Sequence, residues 1–147
     1  MRVTTKGRYG IRACLELVNK FGNGAVHISQ IAQAQGIPEK YLAQLIPLMR
    51  RAGLVKSVRG AGGGYILARP PDQIKLIEVL EALEGPLAPV ECLNDPGICE
   101  RIPNCSARMV WGRVLDSIRG ALESLSLDDL QRMEGENLPP DSLVYCI

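Results

Sequence analysis

The chain has 147 residues, of which 46% are hydrophobic and 22% are charged, and its formal net charge is +1. This length and composition are typical of one compact domain, or a small domain with an appendage, and they exclude a disordered polyelectrolyte. No run approaches the roughly 20 apolar residues of a membrane-spanning helix, and the N-terminus lacks the apolar core of a signal peptide, so we expect a cytoplasmic protein with no membrane partner.

The near-zero net charge is the sum of two opposite halves. Residues 1–69 carry 11 basic and two acidic side chains, a balance of +9, whereas residues 70–147 carry six basic and 14 acidic ones, a balance of −8. A strongly basic half is typical of a nucleic-acid-binding region. We therefore predict a DNA-binding region over residues 1–70. A loop with three cysteines and a helix with a heptad stripe, both described below, predict a sensing and dimerising region over residues 71–147.

Apolar residues at helical spacing predict three helices in the basic half. The first begins near Thr5 and ends at the glycine-rich turn after residue 21. The second begins near Ser29, a good N-cap residue, and a turn at Gly36 leads to a third from Pro38 to about Arg51. A short helix, a glycine-containing turn and a helix with a polar outer face are typical of a helix-turn-helix.

Two short β-branched runs around a glycine-rich tip predict a β-hairpin over residues 54–68. A hairpin placed directly after a helix-turn-helix is a wing. The predicted fold class is therefore mostly α with a small β-hairpin, a winged helix-turn-helix followed by a long helix. A phosphate-binding glycine loop is disfavoured, because no helix follows the glycines and no Gly-Lys-Ser/Thr sequence occurs.

The acidic half is predicted to contain a short helix near residues 76–83, a long loop over 86–105, a long helix over 106–125 and a last helix opened by Ser126-x-x-Asp129. The long helix carries apolar residues at heptad spacing: Trp111, Leu115, Ile118, Leu122 and Leu125. Such a stripe needs a partner, either the helix's own domain or a second chain. We favour a homodimer, because paired helix-turn-helix units occupy neighbouring DNA half-sites.

The basic side chains of the first helix, the third helix and the wing lie where phosphates approach a winged helix. Lys40, Ala43 and Gln44 would face the major groove, and Gln44 has the amide that pairs with an adenine edge. Arg59, beside the wing glycines, suits a narrow minor groove. A merely solvated basic face is the alternative. The predicted contacts with double-stranded DNA are Arg2, Thr4, Lys6, Lys40, Tyr41, Gln44, Arg51, Arg59 and Gly60.

Three of the five cysteines, Cys92, Cys99 and Cys105, lie on the proline-rich loop. Thiolates gathered on one loop can hold a soft metal or an iron-sulfur cluster, whereas disulfides are disfavoured in a reducing compartment. Zinc is less favoured because no short Cys-x2–4-Cys pair occurs, and redox-active or coincidental thiols remain an alternative. Cys14 is predicted to be a core residue, and Cys146 a thiol in the C-terminal tail.

An enzyme built on these thiols is disfavoured. No Cys-x-x-Cys sequence occurs, and the only histidine, His27, is far from the loop in sequence, so no activated cysteine is indicated. We therefore predict a binding protein with no catalytic residues and no small-molecule substrate.

Three segments resemble the Rrf2 family of bacterial winged-helix transcriptional regulators. They are Arg2-x-Thr4-x-Lys6-Gly7-Arg8-Tyr9, Tyr41-Leu42-Ala43-Gln44-Leu45 and Gly53-Leu54-Val55-x-Ser57-Val58-Arg59-Gly60-x-Gly62-Gly63-Gly64-Tyr65. The three loop cysteines and the helix that carries Trp111 are similar to those of iron-sulfur-sensing members. The resemblance implies a homodimeric repressor of iron-sulfur cluster assembly genes, whose choice of DNA responds to a [2Fe-2S] cluster held by Cys92, Cys99 and Cys105.

The sequence departs from the family pattern at two positions. Arg108 stands where a histidine ligand is often found, so the fourth ligand is open among loop carboxylates such as Glu91, Asp95 and Glu100, a partner-chain residue and an exogenous thiol. Ala43 replaces an acidic residue that some members carry in the recognition helix. Sensing of thiol oxidation or of nitric oxide by the same cysteines is the alternative reading.

Overall fold

The computed structural model describes residues 2–136. Within them the chain forms six α-helices and one two-stranded antiparallel sheet, which confirms the predicted winged helix-turn-helix class. In chain order, the elements are α1 (Thr5–Asn19), α2 (Ile28–Gln35), α3 (Glu39–Arg51), β1 (Val55–Val58), β2 (Gly64–Leu67), α4 (Leu76–Glu84), α5 (Ser106–Ser124) and α6 (Leu127–Gly135).

The hydrophobic core surrounds α1 and draws on both halves of the chain. Cys14 of α1 and Met49 of α3 are fully buried, and so are Ile74 and Leu127 from the acidic half. Burial of such side chains contributes about 1.5–3 kcal/mol each to folding. One continuous core therefore includes residues from both sides of residue 70. The predicted division between a DNA-binding region and a sensing region stays a prediction about function.

The start of α2 differs from the prediction. The N-cap is His27, whose Nδ1 accepts a hydrogen bond from the backbone N–H of Ser29 (3.2 Å), while Gln30 Oε1 accepts from the His27 N–H (2.9 Å). Ser29, the predicted cap, is therefore the second residue of the helix. Pro38 likewise precedes α3 instead of opening it, and its carbonyl accepts from the N–H of Leu42.

The wing is held by backbone pairing on both sides of β2. Val55 pairs with Leu67 and Val58 with Gly64, and on the far side Val26 and Tyr65 exchange two hydrogen bonds of 2.8 and 2.9 Å. Gly64 has φ +152°, and a Cβ there would lie 2.4 Å from the Val26 oxygen. Only glycine lets the hairpin approach the segment before α2 this closely.

The long helix α5 lies on the surface and packs on α4 along one side. Leu115 and Leu122 contact the buried cluster of Ile77, Leu80 and Leu87, and Arg119 forms an ion pair with Glu81. No residue of α5 is buried, and Met109, Val110, Trp111 and Val114 are exposed. The predicted heptad stripe is thus divided, because Leu115 and Leu122 contact their own chain while Trp111, on the same stripe, is exposed. Within residues 2–136, no helix is both long enough and apolar enough to cross a membrane.

Candidate nucleic-acid interface and cysteine segment

The third helix presents two chemically different faces. Leu42 and Met49, with their apolar neighbours, are buried on the inner face. The predicted contact residues Lys40, Gln44 and Arg51 are exposed on the outer face, together with Ala43. Because the inner face is fixed by the core, the outer face presents its amide and its cations on a rigid support.

Tyr41 joins the third helix to the first. Its ring meets the Tyr9 ring edge-on, with centroids 5.4 Å apart and planes at 88°. The guanidinium carbon of Arg12 lies 5.4 Å from the centroid of the Tyr9 ring, a cation–π arrangement. Tyr41, predicted as a DNA contact, is half-buried in this packing. Arg12 was not predicted, although its i, i+3 spacing from Tyr9 is a signal for such a pair.

The basic N-terminal segment leads directly into α1. The side chains of Arg2 and Lys6 are exposed, and Thr4 is the N-cap, its Oγ1 accepting from the Lys6 N–H at 3.2 Å. The Thr4 hydroxyl also donates to Glu84 at 2.8 Å. Thr4 is thus engaged within the protein, whereas the two cations flanking it point into solvent.

The wing tip carries the remaining predicted contacts. Arg59 and Gly60 are both exposed, and Gly60 has φ +109°, a conformation that a side chain would strain. The Gly60 carbonyl accepts from the Gly63 N–H at 2.9 Å, which closes the turn. Arg59 lies between the end of β1 and this turn.

An open groove of about 600 Å³ lies between the end of α3 and β1. Three cations line it, namely Arg50, Arg51 and Lys56, together with Pro47 and Ser57. Guanidinium groups bind phosphate through paired N–H donors, so the groove suits a nucleic-acid backbone. Lys56 belongs to the basic face predicted to approach phosphates, although it is not among the individual contacts given above, whereas Arg50 was not predicted.

The ion pairs are distributed unevenly. In the part of the chain that the structure describes, the basic partners in ion pairs are Arg69, Arg119 and Arg132. Within residues 2–136, the exposed cations of α1, α3 and the wing form no ion pair. Their charge is therefore not neutralised by neighbouring carboxylates, as electrostatic attraction to phosphates requires.

The cysteine segment, residues 86–105, is irregular, as its sequence predicts. Short 3-10 turns at Glu91–Leu93 and Ile102–Asn104 interrupt it. Cys92 is half-buried in the first turn, Cys99 is exposed, and Cys105 is half-buried at the start of α5. None of the three is in a disulfide.

Arg108 connects the two ends of this segment. Its backbone N–H donates to the Cys105 sulfur, 3.4 Å away, so that Cys105 is the N-cap of α5. Its side chain Nε donates to the carbonyl oxygen of Cys92, also at 3.4 Å. The residue that stands in place of a histidine ligand therefore holds the backbone of the cysteine segment against the helix.

The chemistry of the donors fits a thiophilic metal group, although the segment does not gather them in this conformation. Among residues 2–136, no three His, Cys, Asp or Glu side chains lie close enough together to hold a metal ion. Three partly or fully accessible thiols on one segment are nevertheless the ligand type of iron-sulfur clusters. Cluster binding would require the three sulfurs to come together.

The other two cysteines do not belong to this segment. Cys14 is fully buried beside the sulfur of Met49 (3.7 Å), and this burial raises the pKa of its thiol to about 12. It is a core residue, as predicted. Cys146 lies outside the described residues.

Comparisons with known proteins agree on one family. The Rrf2 family, described as iron-dependent transcriptional regulators, matches residues 3–133. The structure of the global cysteine regulator CymR of Bacillus subtilis has a TM-score of 0.77 at 41% identity, covering 90% of this chain and 98% of that one. The structure of T. potens IscR has a TM-score of 0.76 at 41% identity, covering 95% and 93%. The regulator IscR of Photorhabdus laumondii is 38% identical over 130 residues, which are 88% of this chain and 79% of that protein.

Proposed function

The chain belongs to the Rrf2 family of transcriptional regulators, and from this premise we propose that it is a DNA-binding repressor that senses iron-sulfur status and controls cluster-assembly genes. The family is one of regulators, so the chain is not an enzyme. The observation that supports the proposal best is the pairing of an exposed basic winged-helix face with a segment carrying three accessible thiols, joined by one core.

DNA binding uses the outer face of α3 for the major groove and the wing tip for the backbone or minor groove. Gln44 is the side chain on this face with both an amide donor and an acceptor for a base edge. Arg50, Arg51 and Lys56 in the groove hold phosphates. We expect Arg59→Ala to weaken operator binding about tenfold while leaving the melting temperature unchanged, since Arg59 is exposed.

The DNA test uses a short duplex selected from random sequence with the wild-type protein, titrated by fluorescence anisotropy at several salt concentrations. Glu123→Gln, an exposed substitution on α5, is the control and should leave the affinity unchanged. Equal affinity of wild type and Arg59→Ala for this duplex would contradict the wing assignment.

The second part of the proposal is a homodimer through α5. Met109 is 69% exposed and Trp111 is 41% exposed, on a helix that packs on α4 only through side chains such as Leu115 and Leu122. Exposed apolar side chains of this size on a surface helix mark an interaction face. Val110→Glu should therefore convert a dimer into monomers in sedimentation analysis, while a single species of monomer mass in the wild type would contradict the dimer.

The third part of the proposal is a [2Fe-2S] cluster with Cys92, Cys99 and Cys105 as ligands. When bound, such a cluster supplies a redox-active group that oxidants and nitric oxide can destroy. In the chain itself, Arg108 holds Cys92 and Cys105 to the start of α5, so ligation of Cys99 as well would order the whole segment between α4 and α5. The fourth ligand remains open.

The cofactor test is anaerobic purification followed by iron and sulfide determination and visible spectroscopy. We expect about two irons and two sulfides per chain, and loss of visible absorbance in Cys92→Ala, Cys99→Ala and Cys105→Ala. Cys146→Ala is the matched control and should keep the absorbance. A colourless, iron-free wild type that regulates DNA fully would contradict the cluster.

A second candidate is a regulator that responds to cysteine status or thiol oxidation without iron. The similarity to the global cysteine regulator CymR favours it, with 42% identity over 130 residues. The two functions differ in the same experiment, because this candidate predicts no iron and sulfide, together with a change in DNA affinity when the thiols are oxidised.

A further inference from the structure

A carboxylate at the end of α4 holds the start of α1. Glu84 Oε1 accepts from the Thr4 N–H at 2.7 Å, from the Thr4 hydroxyl at 2.8 Å and from the Gly7 N–H at 3.0 Å. Its second oxygen lies 3.0 Å from the same hydroxyl. One side chain, 80 residues away in sequence, thus accepts three of the donors at this helix start.

This contact has an electrostatic reason. The first N–H groups of a helix have no partner within the helix, and its N-terminus favours negative charge. The first turn of α1 contains no acidic residue and instead carries Lys6 and, just beyond, Arg8. Glu84 supplies the missing charge from another helix, and the backbone that it holds carries the exposed cations Arg2, Lys6 and Arg8.

Two glycines make this approach of α1 to α4 possible. A Cβ at Gly7 would lie 2.5 Å from Glu84 Oε1, and a Cβ at Gly10 would lie 1.9 Å from Leu83 Cδ1. At either distance the added Cβ or the α4 side chain would have to shift. The Leu83 and Glu84 side chains therefore lie directly on the backbone of α1, with no α1 side chain between them.

Glu84 is also the last residue of α4, and only Gly85 separates it from the cysteine segment. Gly85 follows in a left-handed conformation (φ +78°), and Leu87 is buried in the cluster that α4 and α5 share. The cysteine segment begins two residues after Glu84, whose side chain contacts Thr4 and Gly7. A rearrangement of residues 86–105 therefore acts on the backbone next to Glu84.

We propose that Glu84 is a positioning residue that couples the cysteine segment to the basic N-terminal segment by holding the first turn of α1. The proposal rests on the DNA-binding function proposed above. The state of the cysteine segment sets how firmly Glu84 holds Thr4 and Gly7, and thereby how well Arg2 and Lys6 are ordered for phosphates.

The test measures DNA affinity of the full chain, with the selected duplex, for the isosteric variant Glu84→Gln. Removal of a negative charge beside DNA-facing cations would by itself strengthen binding. The amide oxygen of the variant can still accept, but without the charge the hydrogen bonds from Thr4 and Gly7 are weaker and the helix start is held less firmly. This effect weakens binding, and we expect about a tenfold loss of affinity because side chains that are less ordered must be ordered on binding. A decrease in DNA affinity therefore indicates that Glu84 positions the helix start, whereas an increase indicates only the effect of its charge. Glu136→Gln, an exposed substitution at the end of α6, is the charge-matched control and should change the affinity less than about twofold.

A second variant separates positioning from direct contact. Thr4→Val removes the hydroxyl that donates to Glu84 but keeps the Thr4 N–H. If Thr4 acts through Glu84, the double variant should bind as weakly as Glu84→Gln alone, whereas a direct phosphate contact would give additive losses. Hydrogen exchange provides a readout without DNA, since the Gly7 amide should exchange faster in Glu84→Gln while the Met49 amide in the core does not.

The outcomes distinguish the two proposals. If wild type fails to bind any selected duplex, the DNA-binding function falls and this inference falls with it. If wild type binds but Glu84→Gln binds equally well or more tightly, the inference alone is overturned. If Cys99→Ala alters DNA affinity equally in the wild-type and Glu84→Gln backgrounds, Glu84 positions the helix start but does not couple it to the cysteine segment.

Discussion

The contact between α1 and α4 can be tested by adding a single methyl group at Gly10. Gly10 is buried in the middle of α1, where alanine would ordinarily be the better helix residue. Here the added Cβ would lie 1.9 Å from Cδ1 and 3.3 Å from Cγ of Leu83. Leu83 is only 5% exposed, so its side chain has little room to move away.

The magnitude follows from two opposing terms. Replacing glycine with alanine in a helix gains about 0.8–1.0 kcal/mol. Inserting a methyl group into a packed contact costs about 1–3 kcal/mol. We therefore expect Gly10→Ala to lower the free energy of unfolding by about 1 kcal/mol. Gly120→Ala is the matched control on exposed α5, where nothing lies within 4 Å of the added Cβ, and it should stabilise the chain by up to about 1 kcal/mol.

The assay is urea unfolding followed by circular dichroism, with all variants at one protein concentration because association changes apparent stability. The expected difference between the two alanine variants is about 2 kcal/mol. If Gly10→Ala is stabilised as much as Gly120→Ala, the two helices are not in the close contact described, and the reasoning about Glu84 loses its support.

Three further predictions concern single side chains. Because burial raises the pKa of the Cys14 thiol to about 12, iodoacetamide at pH 8 should alkylate the loop cysteines rapidly and Cys14 only after unfolding; equal rates would contradict its burial. His27→Ala should cost about 1 kcal/mol of stability, whereas His27→Asn, which can still cap α2, should cost less, and equal losses measured by urea unfolding would contradict the cap. Hydrogen bonds from the Ser126 backbone and hydroxyl, with Arg132 nearby, lower the pKa of Asp129. The ionised Asp129 therefore stabilises the fold fully at pH values above the ordinary aspartate pKa, and this stabilisation is lost as the pH falls through the lowered pKa. Asp129→Asn should reduce the fall in melting temperature at acidic pH, and an unchanged fall would contradict this.

Local sequence patterns were sufficient to predict the helices, the hairpin and the winged-helix class. Apolar spacing, glycine tips and the Ser126–Asp129 capping box each act within a few residues, so they can be read from the chain alone. The placement of Gln44 on the outer face of α3 was predictable for the same reason, since helical periodicity assigns the opposite face to the core. The cap of α2 was missed because His27 is an uncommon N-cap beside a favourable serine.

Only the tertiary structure determined which residues contact each other when they lie far apart in the sequence. Glu84 satisfies donors that lie 80 residues earlier, and no local pattern links the two. The heptad stripe of α5 was divided because α4 covers Leu115 and Leu122, leaving Trp111 exposed. Spacing grouped the three loop thiols, whereas within residues 2–136 no three His, Cys, Asp or Glu side chains lie close enough together to hold a metal ion. Periodicity reports which side chains are apolar, whereas packing alone determines which neighbour covers each of them.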